Sequence, residues 1–458
     1  MKIIICGAGQ VGTDIAKYLA EEENAVTLID SDEEVVDNIS ESIDVRAVYG
    51  HGSYPEILEE AGAENADMII AVTPSDELNM VTSLVANSIF HIPTKIARIR
   101  SPEYLGREWA DIYTSGNMPI DVIISPEIEM AKAIERNLSA PGALEVIPLL
   151  NEQVYLLSVR CDENCPVLRI SLRQIASIFP DIAMSVTGIV RNGHLLFPSL
   201  EEHIQLNDEV YFLVKSSQVL RALNAFGHEE RAANHIVIFG AGRIGVYLAG
   251  QLEEKKLVDS VTIIERDAHT AEKASEALPD VKIIHGDFLE ADILEEAGIR
   301  NIETSIALSG EDEDNILGSL LVRRYGVKQT FAMVDKVAYN NLVANLGVDV
   351  VLDPKSITIS SIIHHIRRGN IQSAYAIRGG IAEVLEVDIS ANAEYIGMPV
   401  EEMVLPKGAV LGGIFRDDNL LLPYGDTVLA SGDILLFFVR HGAIKNVEKM
   451  FSAGFNLF

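Results

Sequence analysis

Short apolar runs alternate with helix-length amphipathic segments through the first third of the chain. Residues 3–6 are continuously hydrophobic, as strands of a parallel sheet covered on both faces are, and residues 25–29 form a second, largely apolar strand. A third strand is predicted just before Gly50, and the fourth to sixth at residues 67–73, 95–100 and 122–124. Strands separated by helical segments are typical of βαβ units. The pattern therefore predicts an α/β fold, a doubly wound Rossmann-type domain with six parallel strands.

The same pattern begins again at His235, and the agreement extends well beyond the first strand. The segment from Ile57 to Gly62 is repeated identically at residues 293–298. The matching strands of the second half are predicted at residues 261–264, 304–309, 329–334 and 350–352. Such a long internal repeat indicates two complete doubly wound domains rather than two chance motifs.

Two shorter segments have a different pattern and also repeat each other. Residues 188–198 match residues 413–423, and in both the apolar strands are separated by a short polar turn, Asn-Gly or Asp-Asp. These features are typical of β-hairpins, and we predict a small α+β module in each half. The predicted domains are residues 1–142 and 233–372, which include a connecting helix each, and residues 143–226 and 373–458, the small modules.

Three glycines join the first strand of each large domain to its first helix. Gly7 permits a tight turn, Gly9 lets the backbone approach a pyrophosphate, and Gly12 lets the helix pack closely on the strand. Gly240, Gly242 and Gly245 repeat this spacing. The sequence therefore predicts two dinucleotide sites.

An acid follows the second strand of each large domain. Asp30 and Glu265 lie close to the expected spacing of about 20 residues after the last glycine, where a carboxylate accepts the ribose hydroxyls of NAD(H) and disfavours a 2′-phosphate. The alternative for Asp30 is a plain carboxylate at a strand end. Arg266, beside Glu265, could stack on adenine or admit a different phosphate pattern.

The two sites differ in charge on the phosphate side. Arg98 and Arg100 end the fifth strand of the first domain, whereas Met333 and Asp335 occupy the matching positions of the second. We therefore expect the first site to suit a polyphosphate better.

Composition narrows the possible partners. The chain has 458 residues and a formal net charge of −32, which disfavours nucleic acid and a bare anionic membrane as partners. Three cysteines cannot form a disulfide framework, so we expect a cytoplasmic protein. Cys161 and Cys165 have no second cysteine pair to complete a metal site, so we expect no metal. Neither a signal peptide nor an apolar run of about 18 residues is apparent.

Catalytic groups of a dehydrogenase are not evident. Short-chain dehydrogenases use a Tyr and a Lys four residues apart on one helix face. Tyr211 and Lys215 have this spacing, but they fall in a predicted strand. The histidines lack a carboxylate at a suitable spacing, and a second nucleotide fold replaces a substrate domain. Binding without turnover is the simpler interpretation. An NAD-dependent oxidoreductase or epimerase remains the alternative, and consumption of NADH would distinguish it.

The motifs at residues 7–12, 50–53, 96–102, 118–121 and 125–127 together resemble the TrkA family, the peripheral nucleotide-binding subunits of bacterial Trk potassium uptake systems. The resemblance covers essentially the whole chain in the order of two RCK-type N domains and two C domains. It implies a non-enzymatic cytoplasmic regulator, peripheral on the inner face of the cell membrane. The implied partners are a membrane-embedded K⁺-translocating subunit and further copies of the chain, in a ring expected to be a homotetramer.

The resemblance also implies cofactors, NAD(H) together with ATP or ADP at the first site. Motif and resemblance together give the candidate contacts of the first half as Gly7, Ala8, Gly9, Gln10, Val11, Gly12, Asp30, Ser53, Thr73, Pro74, Arg98 and Arg100. Those of the second half are Gly240, Ala241, Gly242, Arg243, Ile244, Gly245, Glu265, Asp287 and Ser309.

Overall fold

Four β-sheets, two of six strands and two of five, organise the chain in a computed structural model. The structure describes residues 1–105, 112–113, 117–229, 233–336, 339, 342–343, 346–366, 371–377, 381–390 and 394–452. None of the helices in these ranges has the length and apolar character that a bilayer crossing requires.

The first sheet is parallel throughout and confirms the predicted doubly wound fold. Its strands are β1 (Lys2–Cys6), β2 (Ala25–Asp30), β3 (Arg46–Tyr49), β4 (Met68–Ala71), β5 (Thr94–Arg98) and β6 (Val122–Ile124). The helices are α1 (Gln10–Glu21), α2 (Glu33–Ser42), α3 (Pro55–Glu60), α4 (Asp76–Ser88), α5 (Pro102–Leu105) and α6 (Pro126–Ser139). The strand order β3-β2-β1-β4-β5-β6 reverses direction at β1 and β4, which places a crevice at their carboxyl ends.

The first small module is an antiparallel five-stranded sheet in the order β10-β9-β11-β8-β7, with two short helices. Its elements are β7 (Ala143–Leu149), β8 (Val154–Arg160), α7 (Leu172–Ile178), β9 (Met184–Arg191), β10 (His194–Leu196), β11 (Glu209–Lys215) and α8 (Val219–Ala225). Asn192 and Gly193 join β9 to β10 with φ angles of 52° and 80°. Two consecutive positive φ angles are those of a type I′ hairpin turn, as the sequence predicts.

The second large domain repeats the first, with the strand order β14-β13-β12-β15-β16-β17. Its strands are β12 (His235–Phe239), β13 (Ser260–Glu265), β14 (Lys282–His285), β15 (Thr304–Ala307), β16 (Gln329–Met333) and β17 (Val350–Leu352). Its helices are α9 (Arg243–Glu254), α10 (Ala268–Ala277), α11 (Ala291–Glu296), α12 (Asp312–Arg323) and α13 (Pro354–His364).

The second small module has the topology of the first, in the order β18-β19-β22-β20-β21. It contains β18 (Ile371–Ile377), β19 (Ala382–Asp388), β20 (Ala409–Arg416), β21 (Asn419–Leu421), β22 (Ile434–Arg440) and α14 (Ile444–Ser452). Asp417 and Asp418 form its hairpin turn with φ angles of 46° and 58°.

Four predicted strands are too long, those at residues 67–73, 95–100, 304–309 and 329–334. In the first half, side-chain hydrogen bonds give the reason. Strand β4 ends at Ala71 because the N–H of Thr73 donates to the side chain of Asn79 rather than to a neighbouring strand. Strand β5 ends at Arg98 because the N–H groups of Arg100 and Ser101 donate to a carboxylate of α4.

The described residues divide into two compact units, residues 1–129 with 355–366, and residues 130–354 with 367–458. In the first unit, Ile362 and Ile366, from and just after α13, are buried in the core of the first sheet. In the second unit, Glu135 of α6 pairs with Lys255 at 2.7 Å. Helix α13 therefore contributes to a core, and α6 is held to the second unit by an ion pair, so neither helix is a free linker.

The two small modules share a hydrophobic core within the second unit. This core joins Tyr211 and Leu213 of β11 to Leu436 and Phe438 of β22. Burial of large apolar side chains on both sides is the main contribution to such a contact.

The cores of the two large domains are filled differently at three neighbouring positions. Phe239 and Phe288 stack with ring centroids 4.6 Å apart. A Cβ at Gly318 would lie 2.7 Å from Phe288, so glycine provides the room for the ring. The first domain has smaller or polar groups at the matching positions, Cys6, Gly52 and Thr82, and a Cβ at Gly52 would lie 2.7 Å from the Cys6 sulfur.

Candidate functional site

The glycine turn after β1 brings the start of α1 against the strand. Gly7 has φ 107°, and its N–H donates to the carbonyl of Ile29 at 2.9 Å. A Cβ at Gly12 would lie 1.9 Å from the Gly7 oxygen, whereas a Cβ at Gly9 would meet no atom within 4 Å. Gly12 is therefore required for packing, and Gly9 faces open space where a ligand can approach.

The second half repeats this geometry. Gly240 has φ 104°, and a Cβ at Gly245 would lie 2.2 Å from the Gly240 oxygen. Gly242 faces open space in the same way as Gly9.

Helices α1 and α9 begin without a side-chain cap. Their N-cap residues are Gly9 and Gly242, and neither helix has an acidic residue in its first turn. Helix α4, by contrast, is capped by Ser75 and has two acids in that turn. The open N-terminus of a helix attracts an anion through its free N–H groups and dipole. Both turns are therefore suited to phosphate.

The acids predicted to bind ribose contact the glycine turns. Asp30 accepts from the N–H of Ala8 at 2.6 Å and from Asp32 at 3.0 Å. Glu265 accepts from Ala241 at 2.6 Å and from Asp267 at 2.8 Å. Both carboxylates thus lie beside the turn, at the carboxyl ends of β2 and β13.

An asparagine fixes the opposite side of each crevice. Asn79 accepts from the Thr73 hydroxyl at 2.7 Å, and it donates to the carbonyls of Thr73 and Arg98 at 3.0 and 2.8 Å. Asn315 makes the same contacts with Ser309 and Met333. These bonds confirm that Met333 occupies the place of Arg98.

Two arginines approach the first crevice. The Arg98 guanidinium donates to the carbonyl of Thr73 at 3.0 Å, and burial, with the neighbouring Arg100 charge, lowers the pKa of Arg98. The carboxylate of Asp76 accepts from the N–H groups of Arg100 and Ser101. Arg100 itself contacts Glu127 of α6, with 3.3 Å between Nε and Oε1. Two guanidinium groups therefore lie at this corner together with the carboxylates of Asp76 and Glu127.

The second crevice is acidic. A cavity of about 220 Å³ opens between the glycine turn and the carboxyl end of β15, and its lining includes Glu265, Glu311 and Asp314. Arg266 also lines it and lies 3.3 Å from Asp314 and 3.9 Å from Asp287. Acids thus engage Arg266, which is the cation among the residues that line this cavity.

The remaining predicted contacts make fewer hydrogen bonds to the crevice walls. Gln10 is exposed and donates to Asp14 at 3.0 Å, and Asp287 accepts from the N–H of Leu289. Ser53 is half-buried in the turn before α3. The exposed residues Pro74 and Arg243 border the crevices, and the partly buried Val11 and Ile244 lie in the first turns of α1 and α9.

The reactive side chains of Cys6, Tyr211 and Lys215 do not have the environment that catalysis requires. Burial raises the pKa of Cys6 to about 12, with Asp30 as a smaller cause, so this thiol is not a nucleophile near neutral pH. Tyr211 and Lys215 lie in β11, as predicted, and the ammonium group donates to the carbonyl of Asp418.

Four residues that the sequence analysis does not single out fix the crevice walls. They are Asn79, its counterpart Asn315, and the acids Asp76 and Asp312. Asp312 accepts from the N–H groups at positions 335 and 336, as Asp76 does at 100 and 101. Their equal spacing in both halves is the signal that could have revealed them.

The chain is similar to known proteins over its full length. The TrkA-N domain family matches residues 3–126 and 236–354, and the TrkA-C domain family matches residues 384–452. The Trk system potassium uptake protein TrkA of Azorhizobium caulinodans is 38% identical over 458 residues, covering 100% of both chains. Its counterpart from Vibrio alginolyticus is 35% identical and covers 98% of each.

Solved structures share the fold at lower identity. The GsuK RCK domain aligns with 99% of this chain and 95% of its own, with a TM-score of 0.59 and 18% identity. The GsuK channel bound to NAD gives a TM-score of 0.60 at 18% identity, over 99% of this chain and 79% of its own. At this identity the likeness is one of fold.

Proposed function

Because the chain belongs to the TrkA family, whose curated members are potassium uptake proteins, we propose that it gates a Trk-type K⁺ uptake system by binding nucleotides. The chain is a regulatory subunit of potassium transport and not an enzyme. The observation that carries the nucleotide proposal is the pair of open glycine turns, each with a carboxylate beside it. NAD(H) fits both sites, through the helix N-terminus and the acid.

The two sites take different nucleotides in this proposal. The first has Arg98 and Arg100 on the phosphate side, so it also accepts ATP or ADP. The second has Met333 and Asp335 there, and Glu311 and Asp314 line its cavity. Each acid repels a terminal phosphate, so the second site favours the dinucleotide.

The partner in this proposal is a membrane-embedded K⁺-translocating subunit, and the chain binds its cytoplasmic side. A net charge of −32 is unfavourable for direct adsorption to an anionic bilayer, so attachment through a protein is the better account. Nucleotide binding changes the pore only by the difference in affinity for its two states.

Self-association into a ring is supported by exposed apolar side chains at matching positions of α4 and α12. Val81 is 43% exposed and Leu317 is 54% exposed. We expect the double variant Val81→Glu and Leu317→Glu to reduce the molar mass measured by light scattering, because two buried charges would oppose the contact. Leu220→Glu, at a residue 57% exposed in α8, is the matched control. An unchanged mass for the double variant would exclude these faces.

The direct test of the function is reconstitution. The full chain should co-purify with a Trk-type membrane subunit, and K⁺ flux into vesicles should depend on added NADH, NAD⁺, ATP or ADP. Absence of binding to the membrane subunit, or flux independent of every nucleotide, would contradict the proposal. NADH absorbance should stay constant, which also distinguishes the regulator from the oxidoreductase or epimerase alternative.

Two substitutions should separate the ligands of the first site. Asp30→Ala removes the ribose acceptor and should weaken NAD(H) there by on the order of 10-fold, the value of one or two charged hydrogen bonds. Arg100→Ala should weaken ATP by a similar factor and NAD(H) less, since only the polyphosphate extends to that corner. Calorimetry gives the affinities, and vesicle flux gives the consequence. Glu265→Ala is the control that affects the second site alone.

A further inference from the structure

An ion pair joins Arg100, a candidate contact of the first site, to Glu127 of α6, which is not among the candidate contacts. Arg100 is 41% exposed in its side chain, and Glu127 is 7% exposed, at the start of α6. The contact is a single one of 3.3 Å through Nε, and the other carboxylate oxygen of Glu127 is buried without a hydrogen-bond partner among the described residues. An arginine held by a single long hydrogen bond can exchange it for stronger hydrogen bonds to another acceptor.

A phosphate at the first site is such an acceptor. Arg100 lies at the corner where Arg98 contacts Thr73, opposite the glycine turn. A terminal phosphate offers several charged oxygens to a guanidinium, whereas Glu127 uses one. If the arginine moves to the phosphate, Glu127 remains as a buried carboxylate without this cation, which is costly.

We propose that Glu127 is a specificity-determining latch: it holds Arg100 in the empty first site and releases it only to a nucleotide with a terminal phosphate group. This inference rests on the proposed function and adds the means by which a polyphosphate is distinguished from a dinucleotide. Release changes the electrostatics at the first turn of α6, and the boundary between the two compact units falls in this helix, after Glu129. ATP binding therefore changes the charge environment at the start of α6.

The second half lacks this arrangement by sequence. The positions matching Arg100 and Glu127 are Asp335 and Lys355, so both charges are reversed. Asp335 would repel an incoming phosphate, whereas Arg100 attracts one. The latch therefore belongs to the first half, and NAD(H) at the second site should not operate an equivalent one.

A double-mutant cycle on the full chain tests the latch. Glu127→Gln keeps the shape of the side chain and removes its charge, so ATP affinity at the first site should rise about two- to fivefold, as for the loss of one partly exposed ion pair. In an Arg100→Gln background, Glu127→Gln should have no effect. A rise of equal size in both backgrounds would show simple repulsion of phosphate and overturn the latch. Glu77→Gln, at an exposed acid of α4, is the control for a general loss of charge.

Amide hydrogen exchange gives a second measurement that affinity alone does not. Saturating ATP should raise the exchange rate of the amides of residues 127–130 in the wild-type chain at least twofold, and Glu127→Gln should show the raised rate before ATP is added. NAD⁺ should leave these amides unchanged. Unchanged exchange with bound ATP would overturn the latch, whereas failure of ATP to bind the wild-type first site at all would instead contradict the proposed function.

Discussion

Replacing Gly9 with alanine is expected to abolish dinucleotide binding at the first site while leaving the fold intact. A Cβ at this position meets no protein atom within 4 Å, so it costs the fold only the difference between glycine and alanine as an N-cap, at most about 1 kcal/mol. The added methyl group instead occupies the space through which the backbone approaches a pyrophosphate. We expect NAD(H) affinity there to fall by on the order of 100-fold, measured by calorimetry, through loss of several charged hydrogen bonds.

Gly12→Ala is the contrasting variant. Its Cβ would lie 1.9 Å from the Gly7 oxygen, and this backbone atom cannot move without opening the contact between α1 and β1. The expected cost is about 3 kcal/mol or more of unfolding free energy, seen as loss of amide protection in the first sheet. Gly242→Ala should repeat the Gly9 result at the second site only. If Gly9→Ala bound NAD(H) normally at the first site, the assignment of this turn to pyrophosphate would be wrong.

The second large effect is expected in the second small module, when Arg416 is replaced by methionine. Arg416 binds Asp433 through two hydrogen bonds of 2.6 and 2.7 Å, and Asp433 is fully buried. Removing the arginine leaves a buried carboxylate that is then held chiefly by the N–H of Ala430. The free energy of unfolding should fall by about 3 kcal/mol, toward the lower end for a broken buried pair because Arg416 is 30% exposed.

Local amide exchange in β20 to β22 is the suitable measurement, since a chain of several domains does not unfold in one step. Arg173→Met is the matched control. Its pair with Glu201 has a similar length of 2.8 Å, but both side chains are more than half exposed, so less than about 1 kcal/mol should be lost. Equal losses in both variants would show that burial of Asp433 is not the decisive factor.

The fold was predictable because its signals are local and occur twice. Apolar strands, turn glycines and the acids Asp30 and Glu265 each have a fixed place in a doubly wound domain, and each of these features occurs in both halves. The hairpin turns were equally local, since Asn-Gly and Asp-Asp tolerate the positive φ angles found there.

The unpredicted parts depend on contacts between residues far apart in sequence. The wall of each crevice is fixed by an asparagine that reaches the next strand, so strands β4 and β5 end earlier than their hydrophobicity suggests. Likewise, Ile362 fills the core of a domain more than 200 residues away, as residues 1–129 and 355–366 form one unit. Apolar spacing identifies such a helix but not the core in which it lies. The partner of Glu127 is hidden for the same reason.

The different fillings of the two large cores also limit how the duplicated halves can exchange sequence during evolution. Transferring Phe288 alone to the position of Gly52 would place a ring against the Cys6 sulfur and Thr82, and transferring Gly52 alone to the second half would leave a hole beneath Phe239. Exchange by recombination is tolerated only when all three positions travel together, and they are widely separated along the chain. The halves are therefore expected to have kept drifting apart, so that each nucleotide site evolves as if it belonged to a separate gene.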